Sequence, residues 1–235
     1  MGPAFAASAD FALDKPAHTP CPHLEGSSCG IHATLRGRGF PGCVVFDCFG
    51  AGQQVVQVTF GGATARTPAM FDALERLRPL HEVLVLLDEA VSHGHGRELR
   101  EHVEALVAGP PERIDVDAVR AEAGAVFDQV VAEVRGDLDG AALRRADLVG
   151  RDLRRRDLRG ADLRGALLLG ADLRGVDLDR ADLLGADLRG ADVRGAHLDR
   201  ALFFTGPQLA AASGDATTVL GRHHTRPEHW ADSRP

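Results

Sequence analysis

Residues 136–205 read GDLDG, AALRR, ADLVG, RDLRR, RDLRG, ADLRG, ALLLG, ADLRG, VDLDR, ADLLG, ADLRG, ADVRG, AHLDR, ALFFT. Fourteen pentapeptides follow one another without a gap. The third position is Leu in twelve, with Val193 and Phe203 as the exceptions, and the first position is Ala in ten. A small residue and a Leu that recur every five residues fit neither a helix, with its period of about 3.6, nor a flat strand, with its period of about 2. They suit a coil of square section, with one pentapeptide per side and four sides per turn. Leu then fills the middle of the tube, Ala packs the inner corner, and the other three residues face outward. The reading for residues 136–206 is therefore a mainly β solenoid.

This pattern resembles that of the pentapeptide repeat family. The resemblance implies a right-handed quadrilateral β-helix whose coils stack about 4.8 Å apart, as neighbouring strands do. It also implies a tube only about 17 Å long on that spacing, with coil ends that need caps. The best-known activity in the family is protection or inhibition of DNA gyrase, by rods that resemble duplex DNA in shape and charge.

Side chains 20 residues apart should lie above one another. One side then carries Asp152/Arg154, Asp172/Arg174 and Asp192/Arg194 as a charge ladder. A second carries Asp137, Asp139, Asp157, Asp177, Asp179 and Asp199, interrupted by Arg159. A third carries Val149, Leu167 and Leu169, an apolar patch next to Leu184. Val149, Leu167, Leu169, Leu184, Asp157, Asp177 and Asp179 are the candidate partner-binding surface. Arg151 and Arg156 stand at the small inward position, where an unpaired guanidinium is expensive. They are expected to turn outward, or else to form a functional pair.

Residues 136–206 hold 13 Asp and 13 Arg, so the repeat is neutral. Residues 1–135 hold 18 acids and 11 bases, which accounts for the whole net charge of −7. Mimicry of DNA needs a long negative surface, so this neutral, short repeat weakens the gyrase precedent. The charge balance also argues against direct nucleic-acid binding.

After the repeat, residues 207–235 read as a C-terminal cap and tail. Gly206–Ala212 is predicted to be a capping helix, with Phe203 and Phe204 closing the tube and Trp230 packing nearby. His223, His224 and His229 are weak metal candidates. Before the repeat, residues 67–135 read as a small helical bundle covering the first coil. Thr67-Pro68 opens a first helix, which Pro79 should kink or divide. Ser92–Gly96 breaks it, and His93 and His95 there are weak ligands. A second helix spans 97–108, and Asp115 caps a third that runs to about Val134.

Residues 1–66 read as a Cys-rich α+β module. All four cysteines, Cys21, Cys29, Cys43 and Cys48, fall within 28 residues, with His23 and His32 among them. The first residues do not read as a secretory leader, and in a chain expected to be cytoplasmic such clustered thiols point to a metal or redox site rather than to structural disulfides. Four thiolates can close a tetrahedral site for zinc or hold an iron–sulfur cluster. Cys21, Leu24, Cys29, Ile31, Arg36 and Cys43 also resemble, in their order, cysteine-cluster families that bind zinc or iron–sulfur clusters. The stretch Phe46–Gly62 alternates apolar residues like a strand after a glycine turn.

No window has the roughly 18 consecutive apolar residues of a membrane span, so a cytoplasmic protein is expected. Two classes of function follow. In the first, a non-enzymatic scaffold presents the β-helix to a protein partner, with DNA topoisomerase as the family precedent and a homodimer as a further option. In the second, the cysteine cluster serves a metal- or iron–sulfur-dependent redox enzyme.

Overall fold

The computed structural model describes residues 4–8, 10–17, 19, 21–25, 28–31, 34–62 and 67–230. The chain divides into two compact parts, Met1–Gly124 and Ala125–Pro235. His32 lies outside the described residues.

In the first part, Phe5 and Lys15 form an antiparallel bridge. The strands β1 (Leu24–Glu25) and β2 (Ser28–Cys29) form a small hairpin with Leu24 opposite Cys29. A 3₁₀ turn, Arg36–Arg38, leads to the short helices α1 (Pro41–Val44) and α2 (Ala51–Gln53). A π-helical segment, Gln54–Thr59, continues α2. The alternation over Phe46–Gly62 therefore builds a helix, not the strand that the sequence suggests. Ala51 and Val55, one helical turn apart, are buried while Gln57 and Val58 face solvent, so burial follows a helical spacing and not a two-residue alternation. The Gln54 amide donates to the Val107 carbonyl at 3.2 Å, a tertiary contact that overrides the β preference of the Val-rich run.

The helix α3 (Pro68–Ser92) runs unbroken through Pro79, which corrects the expected division. Proline removes one ladder bond. Leu77, Leu80, Val83, Leu86 and Leu87 stay buried along the helix, and that burial outweighs the loss. After the break at Gly94–Gly96, α4 (Arg97–Ala108) packs on α3. The helix α5 (Val116–Arg135) begins where Asp115 Oδ1 accepts the Ala118 N–H at 3.0 Å.

The second part is a β-helix solenoid. Parallel bridges join residues 20 apart, such as Asp162 to Asp182 and Asp172 to Asp192. The Leu163 N–H donates to the Asp182 carbonyl at 3.0 Å, and the Asp182 N–H donates to Ala161 at 2.9 Å. Each corner is a turn. At Leu163–Ala166, the Ala166 N–H returns to the Leu163 carbonyl at 2.9 Å. Gly165 at the third turn position has φ +65°, the left-handed value that a type II turn demands. This is why glycine closes so many of the pentapeptides. Arg145 and Arg180 hold the same corner with φ +56° and strain that glycine would avoid. Leu148 to Leu198 and the inward alanines form one continuous core.

Arg151 and Arg156 are exposed, while Leu153 and Leu158 remain buried. No bridge joins Asp157 to Asp177, although their neighbours on the other sides are bridged. The side that begins with Arg156 thus departs locally from the ladder, and its guanidinium escapes burial.

Residues 125–135 of α5 belong to this second part. Asp128 ion-pairs with Arg144 and Arg164, Phe127 meets Phe203, and Arg180 donates to the Val134 and Arg135 carbonyls. Those partners come from four successive coils. The segment therefore lies along a side of the tube, where the sequence suggested helices over its first coil.

Beyond the repeat the ladder continues in an altered register. Ser213 pairs with Asp192 and Val219 with His197. The helix α6 (Gly206–Ala211) replaces one side of the last coil. The Gln208 side chain accepts the Thr205 N–H at 2.7 Å and donates to the Leu183 and Ala186 carbonyls at 3.0 and 2.9 Å. It thereby satisfies backbone groups that the end of a solenoid leaves open. Trp230 is buried against Gly214, and its indole N–H donates to the Ala212 carbonyl at 3.1 Å.

Candidate functional site

The outer surface of the solenoid is built from the second and fourth positions of each pentapeptide. Where these are Asp and Arg, the pair closes on itself. Arg154 grips Asp152 with Nε and Nη2 at 3.0 and 2.7 Å. Arg159 grips Asp157 at 3.0 and 2.8 Å, and Arg174 grips Asp172 at 2.8 and 2.6 Å. Arg189 and Arg194 hold Asp187 and Asp192 in the same fork. The stacked coils add Arg154 to Asp172 at 3.2 Å and Arg174 to Asp192 at 3.6 Å. The forked hydrogen bonds from Arg154 and Arg159 pull Asp152 and Asp157 down to about 2.

The acidic side is therefore less anionic than its sequence suggests. Asp157 is held by Arg159, and Asp179 lies between Arg180 and Arg200. Asp177 stays exposed, its carboxylate accepting the Asp179 N–H at 2.9 Å.

The third side differs in kind. Val149 is 50% exposed and Leu167 43% exposed. Leu169 and Leu184 are half-buried. Val149 and Leu169 stack at one outward position and Leu167 occupies the other, with the Asp187–Arg189 pair one coil later. Val149 and Leu167 are thus exposed apolar side chains on one side of the solenoid.

The side covered by residues 125–135 holds a charge that the sequence did not flag. Asp182 is completely buried. Arg164 reaches it at 2.9 Å with Nε and reaches Asp128 at 2.7 Å with Nη1. A buried carboxylate is tolerable only with such a partner. Its signal in the sequence was faint: ADLLG at 181–185 has Leu184 where many repeats have Arg, so Asp182 must borrow an Arg from the coil below.

In the first part, three segments meet around Cys43. The Gly42 N–H donates to the Asp10 carbonyl at 3.0 Å, and Gly42 lies against the Phe11 ring. His23, in the approach to β1, meets Phe40 edge to face at 5.2 Å. Lys15 is 5% exposed; its Nζ donates to the Pro16 and Thr19 carbonyls at 3.2 and 3.0 Å and lies 5.3 Å from the centre of the Phe5 ring. Burial pushes the Cys43 thiol up, and the neighbouring Cys21 and Cys29 push it further, against the pull of Lys15. Cys48 stands apart from this set: its Sγ faces the Gln53 side-chain oxygen at 3.7 Å.

All four thiols are free. Among the described residues, no group of three or more His, Cys, Asp or Glu side chains is placed to hold a metal ion. The four-cysteine ligand set expected for zinc or an iron–sulfur cluster is thus not assembled. Cys48 leads into α2, and its loop is tied to α3 by Arg78 donating to the Asp47 carbonyl and by His81 at the Phe49 carbonyl.

Of the tail histidines, His223 accepts from the Arg222 side chain at 2.9 Å, while His224 and His229 have backbone partners. His224 stacks on Phe204 at 3.9 Å, with Nε2 3.1 Å from the Phe204 carbonyl, and burial lowers its pKa. His229 lies 3.3 Å from the Ala212 carbonyl. No helix among the described residues is long and apolar enough to cross a membrane.

A family profile described as pentapeptide repeats matches residues 136–168, 157–195 and 166–203. A protein of Bacillus subtilis (strain 168), described as uncharacterized protein YybG, is 47% identical over 247 residues, spanning 96% of this chain and 88% of that protein. Among solved structures, a pentapeptide repeat protein of the Arabidopsis thaliana thylakoid lumen is 34% identical over 41% of this chain and 62% of its own, with a TM-score of 0.28. The pentapeptide repeat protein Rfr23 of the cyanobacterium Cyanothece 51142 is 32% identical over 32% of this chain and 46% of its own, with a TM-score of 0.21. The chain thus spans less than two thirds of either solved relative.

Proposed function

The chain belongs to the pentapeptide repeat family, and from that premise we propose that it is a non-enzymatic scaffold that offers one side of its solenoid to a protein partner. The side is the one that carries Val149, Leu167 and Leu169, with Leu184 on the adjoining side. One observation carries the reading. Asp–Arg forks close on themselves elsewhere on the surface, and self-satisfied pairs contribute little to binding. The strip of Val149, Leu167 and Leu169 has no such internal partner and gains from leaving water.

The same forks bear on DNA gyrase. A surrogate for duplex DNA must present free carboxylates in a continuous field. Asp152, Asp157, Asp172, Asp187 and Asp192 are each neutralised by the Arg two residues on. The expected result of a gyrase supercoiling assay is no inhibition, and no protection from a quinolone, at a large molar excess of this protein.

Affinity isolation from cells of the natural host tests the partner reading. The expected result is a discrete protein that the unaltered chain retains and a Leu167→Asp variant loses, while an Arg174→Gln variant keeps it. Equal recovery by all three would overturn the assignment of this side. A shift between monomer and dimer in sedimentation that Leu167→Asp abolishes would instead assign the strip to a second copy of this chain.

A further inference from the structure

The first part of the chain holds a cleft of 430 Å³ with three walls. The start of α3 forms one wall, with Ala69, Asp72, Ala73 and Arg76 at the i, i+3, i+4 and i+7 spacing of a single helix face. Phe60, at the end of the π-helical segment, forms the second. Pro110, Pro111 and Glu112 form the third, where α4 gives way to a 3₁₀ turn at Pro111–Arg113. Contacts within the chain fix these walls. The Phe60 N–H donates to the Val55 carbonyl at 3.0 Å, the Gln54 side chain ties the π-helical segment to the Val107 carbonyl, and the buried Ile114 anchors the turn. Ala73 and Pro111 are buried and make the floor. The two alanines leave open a space that larger side chains would fill. A π-helical turn is rare and is often found at functional sites. Asp72, Arg76 and Glu112 are exposed and, among the described residues, make no ion pair or side-chain hydrogen bond. Elsewhere on the helices such charges do pair, as Arg100 does with Asp88 and Glu104.

We propose that this cleft binds a free amino acid with an apolar side chain, a function that goes beyond the scaffold reading and stands without it. Arg76 takes the carboxylate, since a planar guanidinium offers that group two parallel donors. Asp72 and Glu112 take the ammonium group. Ala69, Ala73, Phe60 and Pro111 take the side chain out of water. The volume lies in the lower part of the range of about 300–1,000 Å³ usual for small-molecule sites, which suits one small molecule and not a chain segment. The charges then select among small molecules. A plain fatty acid is repelled by the two carboxylates, and a plain amine leaves Arg76 unmatched. A phosphate ester meets two carboxylates against one guanidinium. A zwitterion satisfies both signs. The walls stand before the ligand arrives, so binding costs little ordering.

The test is calorimetric titration of the full chain with L-leucine and L-phenylalanine. N-acetyl-leucine and isoamylamine serve as probes that lack the ammonium and the carboxylate, respectively. At least one of the two amino acids should bind saturably, one per chain. Each single-charge probe should bind about tenfold more weakly or worse, the loss of one charge-assisted contact. Arg76→Gln should weaken amino-acid binding by about tenfold or more and remove the preference over isoamylamine. Ala69→Leu should abolish binding by filling the cleft, and its exposed position lets the fold accept the larger side chain. Arg120→Gln, which removes an exposed charge outside the cleft, should bind as the unaltered chain does. Melting curves of the variants separate lost binding from lost folding. Three outcomes would overturn the proposal. The first is no saturable heat with either amino acid up to about 10 mM. The second is equal affinity for a probe with one charge. The third is binding that survives both Arg76→Gln and Ala69→Leu. Titration of the unaltered chain with the four small molecules decides the matter even where a variant fails to fold.

Discussion

The two parts of this chain solve the same problem in opposite ways. The solenoid repeats one local solution: Leu inward, Ala in the corner, a glycine turn, and an Asp–Arg fork outside. The cysteine-rich module has no such period. It is assembled from single contacts between segments distant in sequence, such as Gly42 to Asp10 and Gln54 to Val107. Where a fold is periodic, most side chains are spoken for, and the exceptions mark where function can sit. In the non-periodic part nearly every contact is an exception, and chemistry must be found by juxtaposition.

The largest effects should come from the exceptions within the solenoid. Arg164→Met leaves Asp182 buried without its cation, and should cost about 3–5 kcal/mol in chemical denaturation. An Arg154→Met control, at an exposed fork, should cost about 0–1 kcal/mol. Equal losses at the two sites would erase the distinction drawn here between buried and self-closing pairs. A core substitution such as Leu173→Ala should cost about 2–5 kcal/mol, because a Leu inside a stack leaves a cavity that its neighbours cannot fill.

Gln208→Ala should cost about 1–3 kcal/mol, since two carbonyls at the end of the tube lose their donor. Amide exchange should then rise first over residues 183–190. Arg145→Gly should stabilise the chain by up to about 1 kcal/mol, because a left-handed corner without a Cβ is unstrained.

The smallest effect is one of pH. Burial holds the folded-state pKa of His224 below its ordinary value. The unfolded chain therefore binds the proton first. The contribution of His224 to stability is complete above its ordinary pKa of about 6.5 and is lost as pH falls from there through the folded value. A His224→Phe variant should flatten the decline in melting temperature over that window while leaving neutral-pH stability little changed.

These contrasts also explain what could be read from the residues alone. The solenoid was legible because its five-residue period is written in side-chain size. The helices after Thr67 and Asp115 were legible from their caps and apolar spacing. Pro79 misled because local chain chemistry favours a break, whereas the buried Leu77 and Leu80 on either side hold the helix together. The run after Gly50 misled because its valines alternate, while only Val55 of the exposed and buried set reaches the core. The ladder beyond Thr205 was hidden because Ser213 and Val219 pair at offsets that are not multiples of five. The place of Cys48, facing Gln53 in a loop tied to α3 by Arg78, depends on long-range contacts that no spacing encodes.

The scaffold reading rests on the difference between the apolar strip and the forked sides, and site-specific photocrosslinking in cells tests it most directly. A photoreactive residue placed at Leu167 should yield one dominant adduct with a different protein, and the same residue at Arg174 should yield none. Adducts of equal strength at both positions, or none at Leu167 under conditions where the chain is folded and abundant, would contradict it.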